Sequence, residues 1–174
     1  RSVCEHIHLP LQSGSDAVLK RMKRAYNRAR YLEKVSKMRA AMPDVAITTD
    51  IIVGFPGETE AEFDETLSLV EEIGYDGAFT FQYSPRPMTE AADFDDQVPK
   101  AVVQERFERL IAVQERWSLK RNEAVIGRIE EVLVEGSSKK DPGKVTGRTR
   151  SNKLVHFVDE TAEPGSFRTV EVTS

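Results

Sequence analysis

A chain of 174 residues has room for one medium domain and a small one. With 39% hydrophobic and 31% charged residues it reads as globular rather than disordered, and a net charge of −4 argues against a protein that coats nucleic acid uniformly. A lone cysteine, Cys4, excludes a disulfide framework, and no apolar run reaches the length of a membrane span, so a cytoplasmic address is expected.

The first apolar, extended run is Val3 to Leu11, closed by "LQSGSD", a turn with helix-capping residues. Ala17 to Arg24 reads as a short helix. Asn27 caps a second helical stretch whose apolar face is Tyr31, Leu32, Val35 and Met38. Pro43 and Asp44 break it, and Val45 to Val53 is the next strand. Thr59 and Glu62 have capping-box spacing, and the helix they open turns Phe63, Leu67, Val70 and Ile73 inward before stopping at Gly74. "GAFTFQY" is a third strand. Pro99 starts a long helix with the stripe Val103, Phe107, Leu110, Val113 and Trp117.

Alternating strands and helices imply right-handed βαβ units and a parallel sheet. Three strands are few for such a sheet, and the chain opens at Arg1 inside a strand-like run, so further strands are expected upstream. From Val125 onward the pattern changes to short alternating strands between glycine-rich turns, which reads as a small antiparallel β-barrel. The expected division is therefore 1–124, an α/β part with a trailing helix, and 125–174, a β domain.

Ligands of parallel α/β folds bind at the C-terminal strand ends. Here those are the turns at Gln12-Ser13, at Gly54-Phe55-Pro56-Gly57-Glu58, and at Tyr83 to Arg86. Asp50 shares a strand face with Thr48, opposite Ile51 and Val53, and would point into a barrel lumen or towards a covering helix. It is either a ligand-facing acid or a buried one tied to Arg86 or a threonine. His6 and His8 share one strand face at a spacing that can bind a metal, but the third histidine lies in the β domain, too few ligands for a metal centre. In the β domain, residues 136–153 hold Lys139, Lys140, Lys144, Arg148, Arg150 and Lys153 against Asp141 alone, an electrostatic footprint suited to RNA or phosphate.

The stretches "HLPLQSGSDAVLKRMKRAYNRARYLEKV", "TTDIIVGFPGETEAEF", "FTFQYSPRPMTEAA" and "GRTRSNKLVHF" together resemble the radical S-adenosylmethionine methylthiotransferases, most nearly the MiaB-type tRNA-modifying branch. The resemblance covers nearly the whole chain. It implies the second half of a partial (β/α) radical SAM barrel, followed by an RNA-binding TRAM domain of OB-like form. It further implies S-adenosylmethionine as cofactor, two 4Fe–4S clusters in the parent protein, and tRNA as partner. The activity implied is addition of a methylthio group to N(6)-isopentenyladenosine next to the anticodon. By position, Gln12 and Ser13 would face the cofactor ribose, the loop Gly54 to Glu58 would flank its adenine, and Asp50 with Arg86 would serve the reaction chamber. Lys139, Lys140, Arg148, Arg150, Asn152 and Lys153 would meet RNA.

The family's CxxxCxxC motif and its cluster-bearing N-terminal domain are absent from this sequence, so the chain is expected to be a C-terminal portion, inactive alone. The branches acting on threonylcarbamoyladenosine or on a ribosomal protein are alternatives. A non-catalytic RNA-binding module and a metal-dependent hydrolase barrel are readings of another class.

Overall fold

The computed structural model describes residues 3–174. A parallel sheet in the order β1-β2-β3 is built from β1 (His6–His8), β2 (Ala46–Val53) and β3 (Gly77–Gln82). Between them run α1 (Asp16–Arg21), α2 (Arg28–Ala41) and α3 (Glu60–Ile73), and α4 (Lys100–Glu123) follows β3. The first strand is shorter than the apolar run that announces it. Pro10 has no amide to give to a ladder, so pairing lapses there and resumes where Gln12 bridges Ile51.

Local chemistry sets the helix ends. Asn27 Oδ1 accepts from the Arg30 amide at 3.0 Å and opens α2. At α3, Thr59 Oγ1 accepts from Glu62 N and Glu62 Oε2 accepts from Thr59 N, a complete capping box. The helix ends on Gly74, whose φ of 59° is left-handed.

One face of β2 carries Ile47, Ile51 and Val53, packed with Leu11, Tyr31, Val35, Phe63, Leu69, Val70, Ile73 and Leu110 into a single core. Both sides of that list come from helices and strand flanks, so the helices cover this face. Tyr31 and Tyr75 are buried within it, with Tyr75 Oη donating to Tyr31 Oη at 3.0 Å and Tyr31 Oη donating to the Leu9 carbonyl at 2.6 Å. Burial pushes the Tyr75 phenol well above its ordinary range.

The buried stripe of α4 differs from the apolar periodicity. Val103 and Leu110 are buried as expected, but the other buried positions are Arg106 and Gln114, while Phe107 and Val113 pack only partly. Arg106 turns in because Glu58 and Glu60 meet it there, and Gln114 because its amide donates to the Tyr75 carbonyl at 3.2 Å.

The β domain is a four-stranded antiparallel sheet ordered β6-β5-β4-β7, from β4 (Ile129–Ser137), β5 (Val145–Thr149), β6 (Leu154–Phe157) and β7 (Phe167–Glu171). A register shift between Val134 and Gly136 bends β4. The strands form the bent, antiparallel four-stranded sheet expected of a small β domain of TRAM type, and among the described residues no ladder joins β6 to β7.

Candidate functional site

Among the described residues, the second face of the parallel sheet is the open one. Register places Thr48 beside Gly77, Asp50 beside Phe79 and Ile52 beside Phe81, all on that face, with His6 and His8 on the flanking strand. Phe79 is 64% exposed and Phe81 51%, unusual for ring side chains in mid-strand. Polar groups run between them. Thr48 Oγ1 lies 3.0 Å from His6 Nε2 and 3.0 Å from His8 Nδ1. His8 Nε2 stands 3.3 Å from Asp50 Oδ1, and the His8 ring meets Phe79 edge-on at 6.0 Å. Burial, then the neighbouring His8, lowers the affinity of His6 for a proton, and Asp76 only partly opposes this.

Asp50 therefore faces the open side, as expected, but its partner is His8. Arg86 is exposed in the coil after β3, where its carbonyl accepts from Thr89, and the anticipated Asp50–Arg86 pair does not form. The reason is register: Phe79 occupies the position beside Asp50, and Arg86 comes seven residues later, past the strand end. His6 and His8 share the Thr48 hydroxyl, and among the described residues no group of three His, Cys, Asp or Glu could hold a metal ion.

The strand-end turns divide into scaffold and site. Ser13 is fully buried, with its hydroxyl 3.3 Å from Thr66 Oγ1 and accepting from Ser15 N, so it is not free for a ribose. Glu58 is 5% exposed and spends Oε2 on Gly54 N at 2.9 Å and Arg106 Nη1 at 3.1 Å. Gly54 has φ 77°, and a Cβ there would lie 2.4 Å from a methyl of Val103, so its small size serves the packing of α4 rather than a cofactor. Pro56 is buried, and Gly57 is held by Asp96 through its amide and by Arg21 through its carbonyl.

Gln12 differs from these. Its φ of 69° is left-handed, its backbone bridges β2, and its side-chain amide makes no hydrogen bond among the described residues. At the C-terminal ends of β2 and β3, where the Gln12 carbonyl accepts from Ile52 N, a cleft of about 360 Å³ is lined by Ile52, Phe55, Tyr83, Met88 and Phe94, with Arg21, Lys23 and Arg24 also on its wall. Phe55 meets Tyr83 edge-on at 5.3 Å and Phe94 at 6.5 Å. Tyr83 Oη is shielded and has no hydrogen-bond partner among the described residues. An aromatic cleft with an orphaned hydroxyl suits a heteroaromatic ring bearing amino groups.

The basic segment also divides. Lys139 and Lys140 are exposed at the turn between β4 and β5. Arg148 leans on Glu135 at 3.4 Å and on the Asn152 carbonyl, and Asn152 holds the left-handed turn (φ 62°) between β5 and β6. Arg150 and Lys153 are not turned to solvent. Arg150 Nε donates to Glu5 Oε2 at 2.7 Å, and Lys153 Nζ reaches Asp76 Oδ1 at 3.1 Å and Asn122 Oδ1 at 2.9 Å. These bonds fasten the β domain to the parallel sheet. Sequence reasoning missed this clamp because Glu5 and Asp76 carry no local sign of their distant partners.

Residues 1–70 match the Radical SAM superfamily, and residues 123–174 match the TRAM domain. The chain joins a segment that matches the Radical SAM superfamily to one that matches the TRAM domain. It is 54% identical over 179 residues to tRNA-2-methylthio-N(6)-dimethylallyladenosine synthase 1 of Mycobacterium marinum, covering 99% of this chain and 34% of that protein. A protein of the same name from Clostridium botulinum is 56% identical over 170 residues, covering 98% and 38%, and one from Thermoanaerobacter pseudethanolicus is 54% identical, covering 98% and 36%. The chain thus spans 34–38% of the length of these relatives. Among solved structures, coproporphyrinogen III oxidase from Escherichia coli, described as a radical SAM enzyme, superposes with a TM-score of 0.57 at 13% identity, over 87% of this chain and 45% of that one. At that identity the likeness is one of fold.

The radical SAM segment implies S-adenosylmethionine and iron–sulfur chemistry in general. The residues present do not fit a cluster, because Cys4 stands alone and cluster ligation takes several thiolates. The aromatic cleft, the orphaned Tyr83 hydroxyl and the unengaged Gln12 amide do fit the adenosyl part of S-adenosylmethionine.

Proposed function

We propose that the chain is a cofactor- and substrate-facing portion of a cytoplasmic tRNA methylthiotransferase acting on N(6)-dimethylallyladenosine beside the anticodon. Identity of 54–56% across 98–99% of the chain to relatives so named carries the reading. S-adenosylmethionine, working with two clusters held elsewhere in the parent protein, would supply the methyl group and the radical chemistry. In this chain Gln12, Phe55 and Tyr83 would hold the adenosyl group, and the open face around Asp50 would receive the base. Arg86, exposed beyond β3, would meet the RNA backbone instead of pairing with Asp50. The TRAM domain would grip tRNA through the Lys139-Lys140 turn and Arg148, while Arg150 and Lys153 hold the domain in place.

Phosphate contacts make affinity fall with salt, by about one unit of log–log slope per contact on a duplex. Replacing Lys139 and Lys140 by alanine should lower the tRNA slope by about two, with thermal stability unchanged. Fluorescence titration of labelled tRNA across a salt series measures it. An unchanged slope removes the turn from the interface, and absence of any tRNA binding removes the reading. The single cysteine favours one narrower statement: taken alone, this chain binds RNA without catalysis, and anaerobic reconstitution should leave it free of a stable cluster absorbance.

A further inference from the structure

The open sheet face holds a chain of polar contacts that its surroundings orient in one direction. His8 Nε2 faces Asp50 Oδ1 at 3.3 Å as a charge contact, and because a carboxylate only accepts, a proton on Nε2 is the arrangement that suits the neutral ring. His8 Nδ1 is then a bare acceptor, and the Thr48 hydroxyl 3.0 Å away donates to it. That hydroxyl has spent its only hydrogen, so at 3.0 Å it accepts from His6 Nε2–H. With the proton on His8 Nε2, the contacts run in one direction from His6 through Thr48 and His8 to the carboxylate. Asp50 Oδ2 has no hydrogen-bond partner among the described residues, and the side chain is 27% exposed between His8 and the exposed ring of Phe79.

We propose that His6, Thr48 and His8 are positioning residues that hold Asp50 as the acceptor for the exocyclic N–H of an adenine stacked against Phe79. The inference rests on the tRNA reading above and names which groups recognise the base. An acceptor-only group matches an amino edge, and an exposed ring supplies the stacking surface that unpaired bases use. The sheet face is the natural place for it, because its two phenylalanines lie bare where the opposite face packs against α2, α3 and α4. Arg86 and the Lys23 and Arg24 side chains stand at the strand ends beside it, where the phosphates of an extruded nucleotide would pass.

The test compares two anticodon stem-loops that differ at one position, adenosine in one and unsubstituted purine riboside, which lacks the amino group, in the other. Affinities are measured on the 174-residue chain. A hydrogen bond to a charged acceptor should make the native chain prefer adenosine by about tenfold. Thr48→Val and His8→Phe should each bring that ratio to about two or below, and Thr48→Ser, which keeps the hydroxyl, should restore it. A merely structural role would lower stability and leave the ratio alone. His8 is the second variant in case Thr48→Val fails to fold, since its side chain is 37% exposed. Binding with a ratio that His8→Phe leaves intact overturns this inference while the tRNA reading stands. No binding of either stem-loop overturns both.

Discussion

Glu58 ends the β2 turn at 5% exposure, with a backbone amide and the Arg106 guanidinium on the same carboxylate oxygen. Arg106 is itself 4% exposed, and Glu60 takes its Nε at 3.0 Å. Removing the cation leaves a buried carboxylate uncompensated, so Arg106→Ala should cost about 3–5 kcal/mol in denaturant melts. Burial raises the Glu58 carboxyl above its ordinary 4.5, against the pull of the Gly54 amide and Arg106. A carboxyl raised on folding contributes stability that is complete below the unfolded value and is lost as pH climbs through the folded one. Glu58→Gln should therefore flatten the decline in stability above pH 4.5, read from unfolding free energies across the acid range. A decline as steep in the variant as in the native chain would assign it to another group. Asp50 is the contrasting case: partly exposed, beside an imidazole and open on one side.

At the scale of elements, the features legible in the sequence are those whose cause lies within a few residues. The Thr59–Glu62 box, the Asn27 cap, the Gly74 stop and the Pro99 start are each visible locally, and each stands at a helix end in the fold. Thr59→Ala opens the box and should cost about 1 kcal/mol, with Glu62 still held by Arg21 at 2.8 Å. Equilibrium urea unfolding would read it, and a loss several times larger would mean that Thr59 supports more than a helix start. Illegible features depend on distance along the chain. Nothing near Thr48 shows that its hydroxyl is shared by two histidines some forty residues earlier, and nothing in "VQERFERL" shows that Arg106 turns in while Phe107 is only partly packed. Pro10 is the local signal that should have shortened the first strand.

For the whole molecule, the ionic contacts across the junction between the α/β part and the β domain, among the described residues, are Arg150 with Glu5, Lys153 with Asp76, and the more exposed Arg128 with Asp44. Asp76 is the centre of the clamp, since its other oxygen accepts from the Ile47 amide at 3.0 Å in β2. Charge patterning alone assigned Arg150 and Lys153 to RNA, because a basic cluster looks the same whether a carboxylate or a phosphate awaits it. Lys153→Ala should cost about 2 kcal/mol, between the values for exposed and buried pairs, and should loosen the TRAM domain before the sheet. Hydrogen exchange faster in β5 and β6 than in β2 would show that order, and uniform exchange would deny it.

The central claim, that these residues are the cofactor- and substrate-facing portion of a tRNA methylthiotransferase, is tested most directly by substitution in kind. Replacing the matched segment of the Clostridium botulinum relative with this chain, reconstituting the iron–sulfur clusters, and analysing tRNA nucleosides by mass spectrometry would decide it. The account predicts 2-methylthio-N(6)-dimethylallyladenosine in the tRNA, lost again with Asp50→Asn while iron loading is retained. A folded, iron-loaded chimera that leaves N(6)-dimethylallyladenosine unmodified would contradict it.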